Sequence, residues 1–354
     1  MGQFQPWLIY ALGGGWGHLN RAIALGRLAA AQTPVHILTN SPYAAQVHKE
    51  LGRWQQRGQS VPTLLILPST LKKAALCRQV QAQILSNPYH CLIVDTFPRG
   101  LGGELADLLP QMNCPKIFIH RDINPDYVRS HRLSEFVARH YDQIIVPGEE
   151  SAPLASLPQA THTSPWLIYD AAELTDVLSH SVAGACPFLH SSTESPLILV
   201  CAAGNACEQS FFGALTTRLQ RAFPYANVRC LSARCPPGCS LNLWLQVWPG
   251  LPQIAQATVV VGSGGYNTVY ECAALQKPLV AFAWNRLYDR QAQRLNSYGV
   301  QVSTTLEAIE QVGASLQLPQ KMSWGSCRYP IAPYPNGAAD AFQKIQQLLE
   351  GAIQ

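Results

Sequence analysis

Short apolar runs alternate with segments of helical spacing through the first half of the chain. Residues 7–12, 35–39, 64–67, 91–95, 116–120 and 143–146 read as strands. Within each run apolar side chains follow one another instead of alternating with polar ones, the pattern of strands covered on both faces. Helical stretches between such strands predict a parallel sheet with helices on both sides. The second half repeats the plan at residues 197–201, 227–231, 243–247, 259–261 and 279–283. The fold class is therefore α/β, with two doubly wound, Rossmann-like domains over residues 1–165 and 196–334. Between them, 166–195 has poor periodicity and gathers Ser, Thr, Pro and His, as a linker does. A Pro-rich stretch at 329–335 leads to a last helix at 338–349, within the segment 335–354.

Length agrees with two domains, since 354 residues exceed what one hydrophobic core organises. Hydrophobic residues make up 47% and charged ones only 13%, so there is ample material for two cores. The net charge of +4 suits an anionic ligand or a membrane surface but falls far short of a nucleic-acid footprint. No apolar run reaches the ~18 to 20 residues of a membrane span, and the amino terminus has no signal-peptide pattern, so a cytoplasmic protein is expected. The cysteines number eleven and most sit singly in apolar runs, as Cys91, Cys201 and Cys272 do, which reads as reduced, buried thiols. Cys230, Cys235 and Cys239 in CLSARCPPGC are the exception, but their spacing fits no common zinc site, and no metal is expected.

The most informative stretch is 258–295. A β-branched run, Thr258 to Val261, enters Gly262-Ser263-Gly264-Gly265, and helical spacing resumes with Val269, Cys272 and Ala273. Such a turn leaves the first helical N–H groups aimed out of the strand's carboxyl end, where the helix dipole favours negative charge. A phosphate or diphosphate fits there. Ser263, Asn267 and Thr268 add hydroxyl and amide groups, and Glu271 follows about one turn on, roughly 5 Å along the axis. A carboxylate so placed accepts hydrogen bonds from two sugar hydroxyls. After the next strand, Asp289, Gln291 and Gln293 bring polar groups to the neighbouring strand mouth.

The first strand enters a second glycine turn, Gly13-Gly14-Gly15-Trp16-Gly17-His18, followed by helix. A dinucleotide cofactor does not fit: His18 stands where the third glycine of the fingerprint belongs, and Thr39-Asn40 ends the second strand where a ribose-binding acid is needed. The turn instead delivers an imidazole to a helix start, where the dipole disfavours its protonated form. That suits a general base. Arg21 lies on the same helical face and faces either a phosphate, an acidic acceptor or a salt-bridge partner. Asp95 ends the fourth strand at the same carboxyl edge, as Arg121 and Asp122 follow the fifth.

Taken together, the stretch 258–295 resembles the nucleotide-sugar half of GT-B glycosyltransferases, close to the MurG-type N-acetylglucosaminyltransferases of family 28. The resemblance implies two domains facing each other across a cleft, with the last helix crossing back to the first domain. It implies donor binding by Gly15 and Gly17, by Gly204 and Asn205, by Trp248 stacking on the uracil, and by Ser263, Gly264, Gly265, Asn267, Thr268, Glu271, Asp289 and Gln291. His18 takes the family's base role, Asp95 orients it, and Arg21, Arg121 and Asp122 face the acceptor. The pattern departs from the family at Gln291-Ala292, where two glutamines are usual, and at Ala203-Gly204, where a serine and a glycine are missing. No Asp-x-Asp occurs in the chain, which sets it apart from the metal-dependent transferases. The implied reaction is a metal-independent, inverting transfer of a sugar from a UDP-sugar to an acceptor hydroxyl, without a cofactor. The alternatives are a non-hydrolysing UDP-sugar epimerase and a nucleotide-sugar-binding protein without activity. The acceptor is unidentified, and basic residues near Lys72, Lys73 and 126–132 suggest either a solvated surface or peripheral contact with a membrane.

Overall fold

The computed structural model describes residues 5–182, 195–317 and 331–351, which fall into two compact units. The first takes the described residues of Met1–Ile168, Leu287–Asp289 and Asn336–Gln354; the second takes those of Tyr169–Arg286 and Arg290–Pro335.

The sheet of the first unit contains β1 (Trp7–Tyr10), β2 (Val35–Thr39), β3 (Thr63–Ile66), β4 (Cys91–Asp95), β5 (Lys116–Ile119), β6 (Gln143–Pro147) and β7 (Ala160–Thr163). All pairings are parallel, in the order β3-β2-β1-β4-β5-β6-β7. The second unit holds β8 (Leu197–Cys201), β9 (Asn227–Leu231), β10 (Trp244–Leu245), β11 (Val259–Ser263), β12 (Leu279–Phe282) and β13 (Val300–Val302), in the order β10-β9-β8-β11-β12-β13. In each sheet the chain moves outward from its first strand, then returns to that strand's other side. The loops leaving β1 and β4, and those leaving β8 and β11, therefore diverge to opposite faces and open a crevice at the carboxyl ends. Register sets the loops of each pair level, with Tyr10 opposite Val94 and Val200 opposite Val261.

Burial on both faces explains the continuous apolar strands. In the first unit Leu8, Tyr10, Leu92, Val94, Phe118 and Ile144 join one core cluster. Trp7, pointing the other way, packs its ring 5.7 Å from Phe342 of the helix Gly337–Gly351, which belongs to this unit. In the second unit Val200, Val228, Val259 and Val261 pack with Phe212, Leu215 and Leu219 of the helix Ala206–Ala222, while Leu199, Val260 and Ala281 pack on the opposite face with Val269 and Cys272.

Three elements differ from the sequence reading. β7 reads Ala-Thr-His-Thr, too polar to register as a strand, and is held as an edge by its pairing from Ile144↔Ala160 to Pro147↔Thr163. β13 is three residues long with two exposed, and takes its conformation from Val280 to Phe282 of β12. The segment 166–195, expected as a linker, contains the helix Ala171–Val182, which groups with the second unit. Its start carries a reciprocal cap: Asp170 N–H donates to Glu173 at 2.9 Å and Glu173 N–H to Asp170 at 2.8 Å. Leu174 and Leu178 supply its buried face. Residues 183–194, and the start of the Pro-rich stretch at 329–330, lie outside the described residues.

Candidate functional site

In the first unit the glycine turn after β1 is tied to the neighbouring strand: Gly13 N–H donates to Asn40 Oδ1, just past β2, at 2.8 Å. Gly15 then caps the helix Trp16–Ala29, whose first turn has no side-chain cap and no acid. His18 folds back over the turn so closely that a Cβ on Gly13 (φ 155°) would lie 2.3 Å from its ring. Only glycine leaves room for the imidazole.

His18 Nδ1 lies 2.6 Å from Asp95 Oδ2. Arg21, one turn after the histidine, grips the same carboxylate with Nε at 2.9 Å from Oδ1 and Nη2 at 2.7 Å from Oδ2. Nη2 also donates to Thr96 Oγ1 at 3.2 Å. Thr96 has φ 70°, a left-handed backbone that a β-branched residue rarely adopts. Phe97 stacks on the imidazole at 5.3 Å. Asp95 is 2% exposed and Arg21 1%, whereas the His18 side chain keeps 14%.

These surroundings decide the protonation states. Burial pulls His18 below the ordinary histidine value, against the opposing hydrogen bond and charge of Asp95; the Arg21 and Arg121 cations add to the lowering. Burial favours the neutral form of Asp95, but the Arg21 charge and the His18 hydrogen bond outweigh it and hold the carboxyl well below the usual carboxylate range. An ionised carboxylate only accepts, so Nδ1 carries the hydrogen and Nε2 is the basic nitrogen. The dyad is arranged to take up a proton at Nε2 and to balance the resulting charge at Nδ1.

Of the partners the sequence allowed for Arg21, the structure supplies the salt-bridge one, Asp95. β4 lies directly beside β1, so Asp95 comes within its reach and the guanidinium is buried against it. Arg121 sits at the same edge, with Nη1 3.3 Å from Asp289 Oδ1. Asp289 therefore groups with the first unit, not with the second glycine turn as the sequence suggested. Asp122 is buried at 7%, and its N–H donates to the equally buried Glu149.

In the second unit Ser263 ends β11 and Gly265 caps the helix Tyr266–Ala274, again without a side-chain cap or a first-turn acid. Its amino end, with Asn267 and Thr268 partly buried in the first turn, keeps the positive end of the dipole available to an anion. Gly264 is fixed on both sides, its N–H donating to Phe282 O at 3.0 Å and its carbonyl accepting Arg294 Nη1 at 2.8 Å. Beside it, across the β8–β11 crevice, Gly204 has φ 111°, and a Cβ there would lie 1.9 Å from Glu208 Oε2. Asn205 caps the helix Ala206–Ala222 by accepting Glu208 N–H at 3.0 Å, and Glu208 pairs with Arg286. Trp248 is 7% exposed, just before Pro249. Gln291 is 5% exposed and its Oε1 accepts Trp284 N–H at 3.0 Å, so this amide braces the strand mouth where the sequence assigned it to the donor sugar.

Sequence reasoning missed Asn40, Thr96, Glu208, Arg286 and Arg294. Only Asn205-x-x-Glu208, a capping pattern, carried a local signal.

Burial pushes Glu271 up to about 8. With its folded value above the unfolded one, this group stabilises the fold below about pH 4.5, and that contribution is lost as pH rises through 8. Glu271→Gln, which stays neutral, is expected to match the parent protein in thermal midpoint at pH 4 and to exceed it at pH 8.5. Parallel unfolding scans at the two pH values check this.

No family model and no curated protein matches the chain. Solved structures do. A UDP-GlcNAc 2-epimerase from Neisseria meningitidis, bound to UDP-GlcNAc, superposes with a TM-score of 0.65 at 12% identity over 98% of this chain and 100% of its own. The calicheamicin glycosyltransferase CalG4 gives 0.56 at 16% identity over the whole of both chains. The spinosyn rhamnosyltransferase SpnG, complexed with thymidine diphosphate, gives 0.59 at 13% over 97% and 100%.

The fold is GT-B. Both glycosyltransferases and epimerases share this GT-B architecture, so the likeness defines the fold and leaves the reaction to the site. In this GT-B chain His18, Arg21 and Asp95 meet at the β1–β4 crevice, and Gly204, Gly264 and Gly265 border the β8–β11 crevice. Among the described residues no helix is long and apolar enough to cross a membrane, and no group of three or more His, Cys, Asp or Glu side chains is arranged to hold a metal ion.

Proposed function

We propose that the protein transfers a glycosyl group from a UDP-sugar to an acceptor hydroxyl, inverting the anomeric centre and using no metal. The observation that carries this reading is the 2.6 Å contact between Asp95 and a His18 whose environment keeps it neutral. His18 Nε2 takes the acceptor proton as the oxygen attacks the anomeric carbon, and Asp95 offsets the imidazolium that forms. The uncapped helix start at Gly265 receives the charge of the departing diphosphate. Glu271 accepts the ribose hydroxyls once ionised, and Trp248 lies against the base. UDP-GlcNAc and thymidine diphosphate, bound in two structures of the same fold, are both pyrimidine nucleotides with a diphosphate, which supports this donor class. The acceptor would be a glycan, a lipid-linked molecule or a small molecule.

A second reading has its own support. Asp122 and Glu149, buried beyond β5 and β6, are acids near the histidine's edge, as epimerisation of UDP-GlcNAc requires. Calorimetric titration with UDP, UDP-GlcNAc and UDP-glucose tests the nucleotide assignment. Micromolar binding that Glu271→Ala weakens by about 10- to 100-fold, the equivalent of one or two lost hydrogen bonds to a charged group, is expected. Absence of binding to any uridine nucleotide rejects it. Incubation with UDP-GlcNAc followed by NMR then separates the reactions: release of UDP in the presence of acceptors supports transfer, whereas a 2-epimer of the intact nucleotide sugar supports epimerisation.

A further inference from the structure

At the carboxyl edge of the second sheet β8, β11 and β12 lie side by side in that order. Register sets Ser263, the end of β11, opposite Phe282, the end of β12, and Gly264 N–H donates to Phe282 O at 3.0 Å. Arg286 follows β12, yet its Nη2 pairs with Glu208 Oε2 on the far side of β11, in the first turn of the helix that follows β8. That same oxygen would lie 1.9 Å from a Cβ placed on Gly204. The Arg286 side chain therefore reaches across the end of β11, where the Ser263-Gly264-Gly265 turn opens.

The surroundings fix the arginine at one edge only. Glu208 is 3% exposed, and its other oxygen accepts Asn205 Nδ2 at 2.7 Å, so the carboxylate is held on both sides. Gln209 Nε2 ties the same turn by donating to Gly204 O at 2.9 Å. Two residues before Arg286, Trp284 packs its ring 5.5 Å from Phe211 of the helix that carries Glu208. Arg286 itself keeps 29% of its side chain exposed, and its Nε and Nη1 bond to none of the described residues. Arg294, also at this turn, is 5% exposed and gives Nη1 to the Gly264 carbonyl, so that nitrogen is committed to the backbone. A guanidinium carries five N–H donors in a rigid fork. A buried carboxylate that grips one edge sets the orientation of the rest before any ligand arrives, which lowers the ordering cost of binding.

We propose that Arg286, oriented by Glu208, binds the diphosphate of the donor nucleotide. The inference rests on the nucleotide-sugar reading above and holds for transfer and epimerisation alike. The helix start at Gly265 offers roughly half an elementary charge. A diphosphate carries more than that and gains another negative charge as it departs. Arg286 adds a full cation that does not titrate, placed over the same turn, with planar donors suited to phosphate oxygens. Glu208 is a positioning residue, acting through the arginine it holds.

The test compares UDP with uridine, which lacks the phosphates. Both affinities are measured by NMR titration of the wild type, Arg286→Gln, Arg286→Lys and the double variant Arg286→Gln with Glu208→Gln. Arg286→Gln should weaken UDP by about 10- to 100-fold, the equivalent of one or two charge-assisted hydrogen bonds, and leave uridine within about twofold. Arg286→Lys keeps the charge without the fork and should recover part of the loss. The double variant leaves no uncompensated buried carboxylate, so its thermal midpoint should stay near the parent's while UDP binds as weakly as to Arg286→Gln. Equal weakening of uridine and UDP would show a purely structural role, and unchanged UDP affinity in the double variant would remove Arg286 from the donor site; either overturns the proposal. A wild type that binds neither ligand rejects the nucleotide reading itself, and this inference with it.

Discussion

Asp95→Ala is expected to lower the thermal midpoint by about 10 °C at neutral pH, with or without nucleotide. Arg21 cannot shed its proton, so the substitution leaves a permanently charged guanidinium that is 1% exposed and has lost both of its carboxylate contacts. Removing one partner of a buried pair typically costs about 3–5 kcal/mol, and each kcal/mol is worth roughly 2–4 °C in a protein somewhat smaller than this one. Scanning calorimetry measures the shift. Adding Arg21→Met to Asp95→Ala should recover part of it, because the second change removes the uncompensated charge. The pH dependence has a definite sign. Asp95 titrates in the folded protein well below the usual carboxylate range, so its contribution is present above the unfolded value near 3.9 and is lost only as pH falls through the lower folded value. The gap between parent and variant should therefore persist at pH 5 and narrow only in strong acid. A midpoint within 2 °C of the parent, a margin of about 1 kcal/mol, would show that Arg21 finds other compensation.

His18→Ala is the complementary experiment, with its largest effect on rate. Asp95 remains gripped by Arg21 and near Thr96 without the histidine, so the fold should tolerate the change with a much smaller loss of stability. Transfer, or epimerisation if that is the reaction, should fall by about 10²- to 10⁴-fold, the usual contribution of a general base. UDP affinity should change little, since the nucleotide contacts proposed above lie in the second unit. Turnover close to the parent's would remove His18 from the mechanism. Because burial lowers its pKa, the neutral imidazole persists at pH 7, and the rate should fall off only on the acid side of the ordinary value near 6.5.

The parts of this site that were legible in the sequence are those determined by local chemistry. A histidine three residues into a helix after a glycine turn, and an aspartate closing an apolar strand, announce themselves by position alone. Their 2.6 Å contact spans 77 positions and depends on strand order, which periodicity does not reveal. The same order explains why the sequence left Arg21 open between an anionic ligand and a salt-bridge partner: Asp95 sits on β4, beside β1. Gln291 and Asp289 are assigned to a sugar by pattern, and their tertiary contacts with Trp284 and Arg121 are what pattern does not reveal. The helix Ala171–Val182 was masked by its Ser, Thr and His content although Asp170, Glu173, Leu174 and Leu178 spelled its cap and buried face. β7 and β13 are specified mainly by the backbones of their neighbours, so no residue-level pattern identified them.

The adjacency of β1 and β4 also bears on how the chain acquires its chemistry during synthesis. β2 and β3 emerge between them, and β1 gains its second neighbour only after that excursion has been completed. A ribosome-bound chain ending at β3 would display His18 without its counter-carboxylate and Arg21 without its clamp. The cluster of His18, Arg21 and Asp95 is therefore incomplete until β4 zips onto the sheet, a long-range closure that follows the β2–β3 excursion.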